Sequence, residues 1–241
     1  MKISGKKILV TGGASGIGLG LTERFIKNNN TLIICGRRES VLREVQSKFP
    51  GLIIKACDLA VESERVALYN WIQKEHPDLN VLVNNAGIQN WMAVTDDDFY
   101  SKAMEEIEIN IKAPIHLTSL FINLKSLETV MNVTSGLSFT PLVKTPVYSA
   151  TKAFFHSFTL SLRKLLQSKN IDVLEIIPPA LNTDLGGKGL HDYAPPVSDF
   201  IDSIFKQIEE GKKALTFGFS ENMIKAGPEE LKQAFERMNN N

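Results

Sequence analysis

Val10-Thr11-Gly12-Gly13-Ala14-Ser15-Gly16-Ile17-Gly18 joins a short apolar run at 7–11 to an amphipathic stretch at 18–27. Glycine lets a backbone turn sharply and approach a bound group closely. The first turn of a helix leaves free N–H groups and a partial positive charge, which attract phosphate. A glycine-rich turn after a strand and before a helix therefore reads as a phosphate cradle. Its glycines, at 12, 16 and 18, are spaced differently from the G-x-G-x-x-G of many dinucleotide sites. A plain tight loop is the competing reading, and the strand–turn–helix setting counts against it.

Outward from that turn, short β-branched runs alternate with longer amphipathic stretches. Strands are expected at 7–11, 31–35, 52–57, 81–84, 129–134 and 173–177. Helices are expected at 18–27, 40–49, 62–74, 99–121 and 147–167. Strands apolar on both faces belong to a sheet with helices on both sides, and the alternation implies right-handed βαβ units. The expected fold class is α/β: one doubly wound Rossmann domain over 1–241, built on a parallel sheet of six to seven strands. Past 177 the pattern is less regular. Pro178-Pro179 ends the sixth strand. Residues 185–197 hold three glycines and two prolines and read as a loop. Helices at 198–210 and 229–238, a last strand at 214–219 and a frayed end at 239–241 complete the reading.

The second strand runs into Cys35-Gly36-Arg37-Arg38. In dinucleotide folds an acidic residue about 20 positions after the glycines holds the ribose 2′-hydroxyl of NAD. Arg37 and Arg38 stand 19 and 20 positions after Gly18, where no Asp or Glu occurs. A guanidinium pairs well with a 2′-phosphate, so NADP(H) is expected over NAD(H), which stays admissible. Read instead as a solvated helix start, the two cations would oppose the helix dipole. Lys+Arg and Asp+Glu number 27 each, for zero formal net charge, which lacks the basic field of a nucleic-acid binder. No run approaches the ~18 apolar residues of a membrane span. Cys35 and Cys57 read as buried thiols, no metal is expected, and a cytoplasmic location is.

Six segments then resemble, in order and spacing, the short-chain dehydrogenase/reductase superfamily over about residues 5–185. The turn at 11–18 resembles that family's TGxxxGxG. Asp58-Leu59 after the third strand is similar to its adenine-contacting pair, and Asn84-Asn85-Ala86-Gly87 to its NNAG segment. Asn110 falls at its mid-helix Asn, Ser135 ends the fifth strand, and Tyr148-Ser149-Ala150-Thr151-Lys152 is similar to its YxxxK. The resemblance implies Asn110, Ser135, Tyr148 and Lys152 as catalytic. It implies Gly12, Ser15, Gly16, Ile17, Gly18, Arg37, Arg38, Asp58, Leu59, Asn85, Ala86, Gly87, Tyr148, Lys152, Pro178 and Thr183 as cofactor-binding. The reaction it implies is hydride transfer between a nicotinamide and a small-molecule carbonyl or secondary alcohol.

Elementary chemistry agrees. Tyr148 and Lys152 are four apart and share a helix face. A phenol's ordinary pKa of about 10 is too high for easy proton exchange at neutral pH, and a nearby ammonium would lower it. Ser135 sits at a strand's carboxyl end, where open α/β sheets bind ligands. Singly, each residue has a plainer reading: a surface helix pair, a turn serine, an Asn bonded to a neighbouring carbonyl. The alternative for the whole chain is a weakly catalytic NADP-binding regulatory or scaffold protein, though such proteins usually lack the Tyr or the Lys. A sugar-nucleotide epimerase or dehydratase would be longer.

Two departures stand out. Pro178-Pro179 replaces the family's Pro-Gly, and the segment at 211–241 lacks the Gly-rich strand that many relatives use in a tetramer contact. That ending resembles the DltE-like bacterial oxidoreductases. A homodimer through helices 99–121 and 147–167 is expected, with Phe155, Phe154 or Phe158 facing outward. The loop at 185–197 is expected as a variable substrate lid that lines the pocket together with residues near 88–92 and 137–143, a set that contains Trp91, Met92, Phe139, Leu142, Val143 and Tyr193.

Overall fold

Side chains alternate across a strand. In β1 (Lys7–Thr11), Ile8 and Val10 enter one apolar layer and Leu9 enters the other. The same division in β2 (Thr31–Gly36) sends Leu32 and Ile34 one way and Ile33 and Cys35 the other. Such strands need helices on both faces. The computed structural model describes residues 3–240 and supplies them. Helices α1 (Gly16–Lys27) and α2 (Glu39–Lys48) cover the first layer with α7 (Val197–Glu209), where Phe25 meets Phe205 edge-on at 5.1 Å. Helices α3 (Glu62–Glu75), α5 (Ala113–Phe121) and α6 (Pro146–Leu165) cover the second.

The remaining strands are β3 (Ile53–Ala56), β4 (Val81–Asn84), β5 (Thr129–Val133), β6 (Asp172–Ile177) and β7 (Ala214–Thr216). All pairings are parallel, in the order β3-β2-β1-β4-β5-β6-β7. The expected doubly wound α/β domain is thus observed, with seven strands. Winding reverses between β1 and β4, which pair Val10 with Val83. A crevice opens at such a switch point, beyond the strands' carboxyl ends.

The chain departs from the sequence reading in two places that matter. The single helix expected at 99–121 is divided into α4 (Phe99–Ile107), a π-helical turn at Glu108–Lys112, and α5. A wider turn of this kind re-aims side chains, and here it buries Asn110 to 1 % exposure. The expected frayed end is instead anchored. After the short α8 (Phe219–Met223), helix α9 (Pro228–Asn239) ends on Asn239. Its Oδ1 accepts from the Val143 N–H at 2.8 Å, and its Nδ2 donates to the Pro141 carbonyl at 3.1 Å. Asn241 lies outside the described residues.

Candidate active site

The cradle is tied to the loop after β4. Thr11 Oγ1 accepts from the N–H groups of Asn85 at 2.9 Å and Ala86 at 3.0 Å, and donates to the Val83 carbonyl at 3.1 Å. The Asn85 amide donates back to the Thr11 carbonyl at 2.8 Å. Gly12 holds a φ of +64°, a conformation that favours glycine. A Cβ on Gly18 would lie 2.1 Å from the Gly12 carbonyl oxygen, so only glycine lets α1 start this close to the turn.

A cleft of about 300 Å³ runs over this turn, and every residue expected to touch a cofactor lines it. Two observations test whether NADP(H) fits. The open backbone at Gly12 and Gly18 suits a pyrophosphate at the start of α1. Arg37 and Arg38 are exposed at the cleft's end, and neither is engaged in an ion pair among the described residues. They are free to meet a 2′-phosphate. The Asp58-Leu59 pair is fixed by the buried Arg65, which donates to the Leu59 carbonyl and, at 2.9 Å, to Glu108.

Helix α6 brings the Tyr148 and Lys152 side chains together. Lys152 Nζ donates to the Val133 carbonyl at 2.9 Å, where β5 ends. Burial pulls its pKa down to about 8. Ser135 caps the short 3-10 turn Gly136–Ser138, its Oγ accepting from the Leu137 N–H at 3.1 Å. The Ser135 and Tyr148 hydroxyls hydrogen-bond each other. Burial pushes the phenol pKa well above its ordinary value; the Ser135 bond opposes this, and the Glu106 carboxylate adds to it. The expected lowering by Lys152 is therefore not what the protein alone provides. The ammonium is bonded to Val133 and lies 5.6 Å from the Tyr148 ring centroid, and both side chains are buried.

Asn110 lines neither this cleft nor the cavity beside it. Its Oδ1 accepts from the Ile88 N–H at 2.9 Å, and its Nδ2 donates to the Ile88 carbonyl at 2.9 Å and to Thr151 at 3.2 Å. It braces the segment after β4 against α6.

A second cavity, of about 500 Å³, shares Tyr148 with the cleft and adds Ser135. Leu142 and Tyr193 line it as expected. Trp91, Met92, Phe139 and Val143 do not. Met92 is buried elsewhere, the Phe139 ring packs edge-on against His156 at 4.8 Å, Lys144 lies over Trp91, and Val143 is exposed. Gln89 and Leu137, within the expected ranges, line it too, whereas the sequence reading missed Phe217, Phe219 and Met238. It also missed Glu106, a fully buried carboxyl on α4. A charged residue among the apolar positions of an amphipathic helix was the available signal.

A dinucleotide-dependent oxidoreductase is the class of protein that such a cleft, with a buried phenol at its edge, defines. Among the described residues no group of three or more His, Cys, Asp or Glu could hold a metal, and no helix is long and apolar enough to cross a membrane. The chain belongs to the short chain dehydrogenase family, whose sequence profile matches residues 6–193. It is 40 % identical to the uncharacterized oxidoreductase DltE of Bacillus subtilis, across 99 % of this chain and 98 % of that one. It is 30 % identical to serine 3-dehydrogenase of Agrobacterium fabrum, across 73 % and 72 %. A short chain dehydrogenase from Burkholderia cenocepacia, solved in complex with NADP, superposes with a TM-score of 0.85 at 22 % identity, covering 99 % of both chains.

Proposed function

We propose that this oxidoreductase uses NADP(H) to interconvert a ketone and a secondary alcohol, with Tyr148 as the proton-transfer group. A nicotinamide held in the glycine-rich cleft would supply the hydride in reduction and take it up in oxidation. Ser135 Oγ holds the substrate oxygen beside Tyr148 Oη. Because burial keeps the phenol protonated at neutral pH, Tyr148 is set to donate a proton to the oxygen as the alcohol forms. Solvent then returns a proton to the phenolate. Lys152 keeps Tyr148 and the nicotinamide ribose in register. Arg37 and Arg38 take the 2′-phosphate and set the preference for NADP(H) over NAD(H). The solved Burkholderia cenocepacia neighbour, with its bound NADP, supports this cofactor assignment.

The observation that carries the reading is the meeting of two cavities at Tyr148, along a border they also share at Ile17, Pro178, Thr183 and Leu185. Tyr148 lines both the glycine-rich cleft and the larger cavity that contains Ser135. Proton donor, substrate oxygen and cofactor can therefore meet at one place.

The test is NADPH oxidation over a panel of reactive ketones. Tyr148→Phe should abolish turnover and leave the NADPH dissociation constant within about twofold, since a phenol oxygen alone is lost. Substantial turnover by that variant overturns the mechanism. Arg37→Asp should weaken NADPH binding by about 1–3 kcal/mol through loss of a charge-assisted bond. Equal binding of NADH and NADPH by the wild type overturns the cofactor reading.

A further inference from the structure

The larger cavity has an unusual charge content for a site of about 500 Å³: no Asp, Glu, Lys or Arg lines it. Its walls are apolar, built from Leu137, Leu142, Phe217, Phe219 and Met238. Its size is within the range that encloses most of a drug-sized ligand. Polar groups are few. Ser135 and Tyr148 occupy the reactive end, and Gln89, Thr183, His191 and Tyr193 supply the other polar side chains, with His191 Nδ1 unpartnered among the described residues. Gln89 is 8 % exposed, and its Oε1 has no hydrogen-bond partner among the described residues. That open acceptor can take a hydrogen bond from a neutral donor on a ligand. Lys152 does not serve as a counter-charge, because it lines the cofactor cleft and its Nζ is bonded to Val133.

The C-terminal segment closes this wall. Asn239 fastens α9 to Pro141 and Val143, and the residue before it, Met238, reaches the cavity. The identity of residue 238 therefore sets the character of a wall that the family's contiguous motifs do not encode.

Resting on the carbonyl-reductase reading above, we propose that the site selects uncharged, mainly apolar ketones and rejects carboxylates, with Met238 as a specificity-determining residue. Placing an anion in an apolar cavity that no Lys or Arg lines costs far more than placing a neutral ester of the same shape.

The experiment compares 4-oxononanoate with its methyl ester, which differ in charge and hardly in size, using NADPH and the full chain. The ester should show a kcat/KM at least about 100-fold higher than the acid, a modest share of the penalty for a buried unpaired charge. An acid turned over as well as the ester, or better, overturns the proposal. Met238→Arg should raise kcat/KM for the acid at least tenfold and narrow the ratio; Leu142→Arg is the second probe if that variant does not fold. A folded variant with an unchanged ratio removes Met238 from the role. The small neutral diketone 2,3-butanedione separates the two levels. Turnover of the diketone with neither the acid nor its methyl ester accepted sinks the cavity proposal alone. No turnover of any of the three sinks the reductase reading with it.

Discussion

Replacing Glu106 by Gln should make the protein more stable at pH 8 and leave it unchanged at pH 5. Glu106 has no exposed surface. Its Oε1 accepts from the Asn90 N–H at 2.5 Å, while Oε2 has no partner among the described residues. Burial pushes its pKa from the usual 4.5 up to about 7, against the opposing pull of the Asn90 bonds. A raised folded-state pKa favours the protonated form. The favourable contribution is fully present below pH 4.5 and is lost as pH rises through about 7. A pKa carried from 4.5 to about 7 corresponds to at most about 3 kcal/mol, of which about 1.5–3 kcal/mol should be lost between pH 5 and 8. Glutamine keeps the acceptor for Asn90, matches the protonated acid in shape and does not titrate. Lys152 titrates in both proteins and cancels in the difference. Urea unfolding of wild type and Glu106→Gln from pH 5 to 8 should show the stability difference opening in the variant's favour. A difference that stays constant within about 0.5 kcal/mol across that range would refute the reasoning.

Gly18→Ala should lower NADPH affinity at least tenfold and cost about 1–3 kcal/mol of stability, because its Cβ would meet the Gly12 carbonyl at 2.1 Å. Titration and thermal unfolding check it, and an unchanged protein would show that the turn relaxes freely. Ser135→Ala should cut kcat by about 10²–10³, the effect of losing one donor to the reacting oxygen, in steady-state assays on any accepted ketone. A two-fold homodimer through α4, α5 and α6 is expected, this being the commonest closed assembly. Phe154→Glu should split it, since Phe154 is 45 % exposed; light scattering at the monomer mass of 26.8 kDa for the wild type would end that expectation.

The legible parts of this molecule are those whose chemistry is contiguous in the chain. The phosphate turn needs a strand, three glycines and a helix start, all within residues 7–27, and the fold places them as read. Tyr148 and Lys152 needed only the period of one helix. Arg37 and Arg38 needed only the end of β2. The π-helical turn was not legible, because the apolar period runs on through 99–121. What widens the helix at Glu108–Lys112 is bonding to distant groups: Asn110 to Ile88, and Glu108 to Arg65. The outward phenylalanine of α6 was undecided for a related reason. Phe154 and Phe155 are about 100° apart on a helix, and only the docking of α6 on the sheet buries Phe155 to 2 % and exposes Phe154. A charge placed at Phe155 would therefore unfold the core rather than split a dimer.

The substrate side was the least legible, and the reason lies in how the fold divides labour. The cofactor side is assembled by hydrogen bonds among the ends of β1, β4 and β5, which neighbour one another in the sheet. The substrate cavity takes its far wall from Phe217, Phe219 and Met238, which reach it only because β7 pairs with β6 and because α9 is fastened to Pro141 and Val143. The Asn239–Val143 bond spans 96 positions of sequence. No local period encodes such a contact. The same separation means the cavity wall can change without disturbing the phosphate cradle or the Tyr148–Lys152 pair. Family membership thus constrains the class of reaction, while under the proposed function the choice of substrate rests on side chains that a motif does not contain.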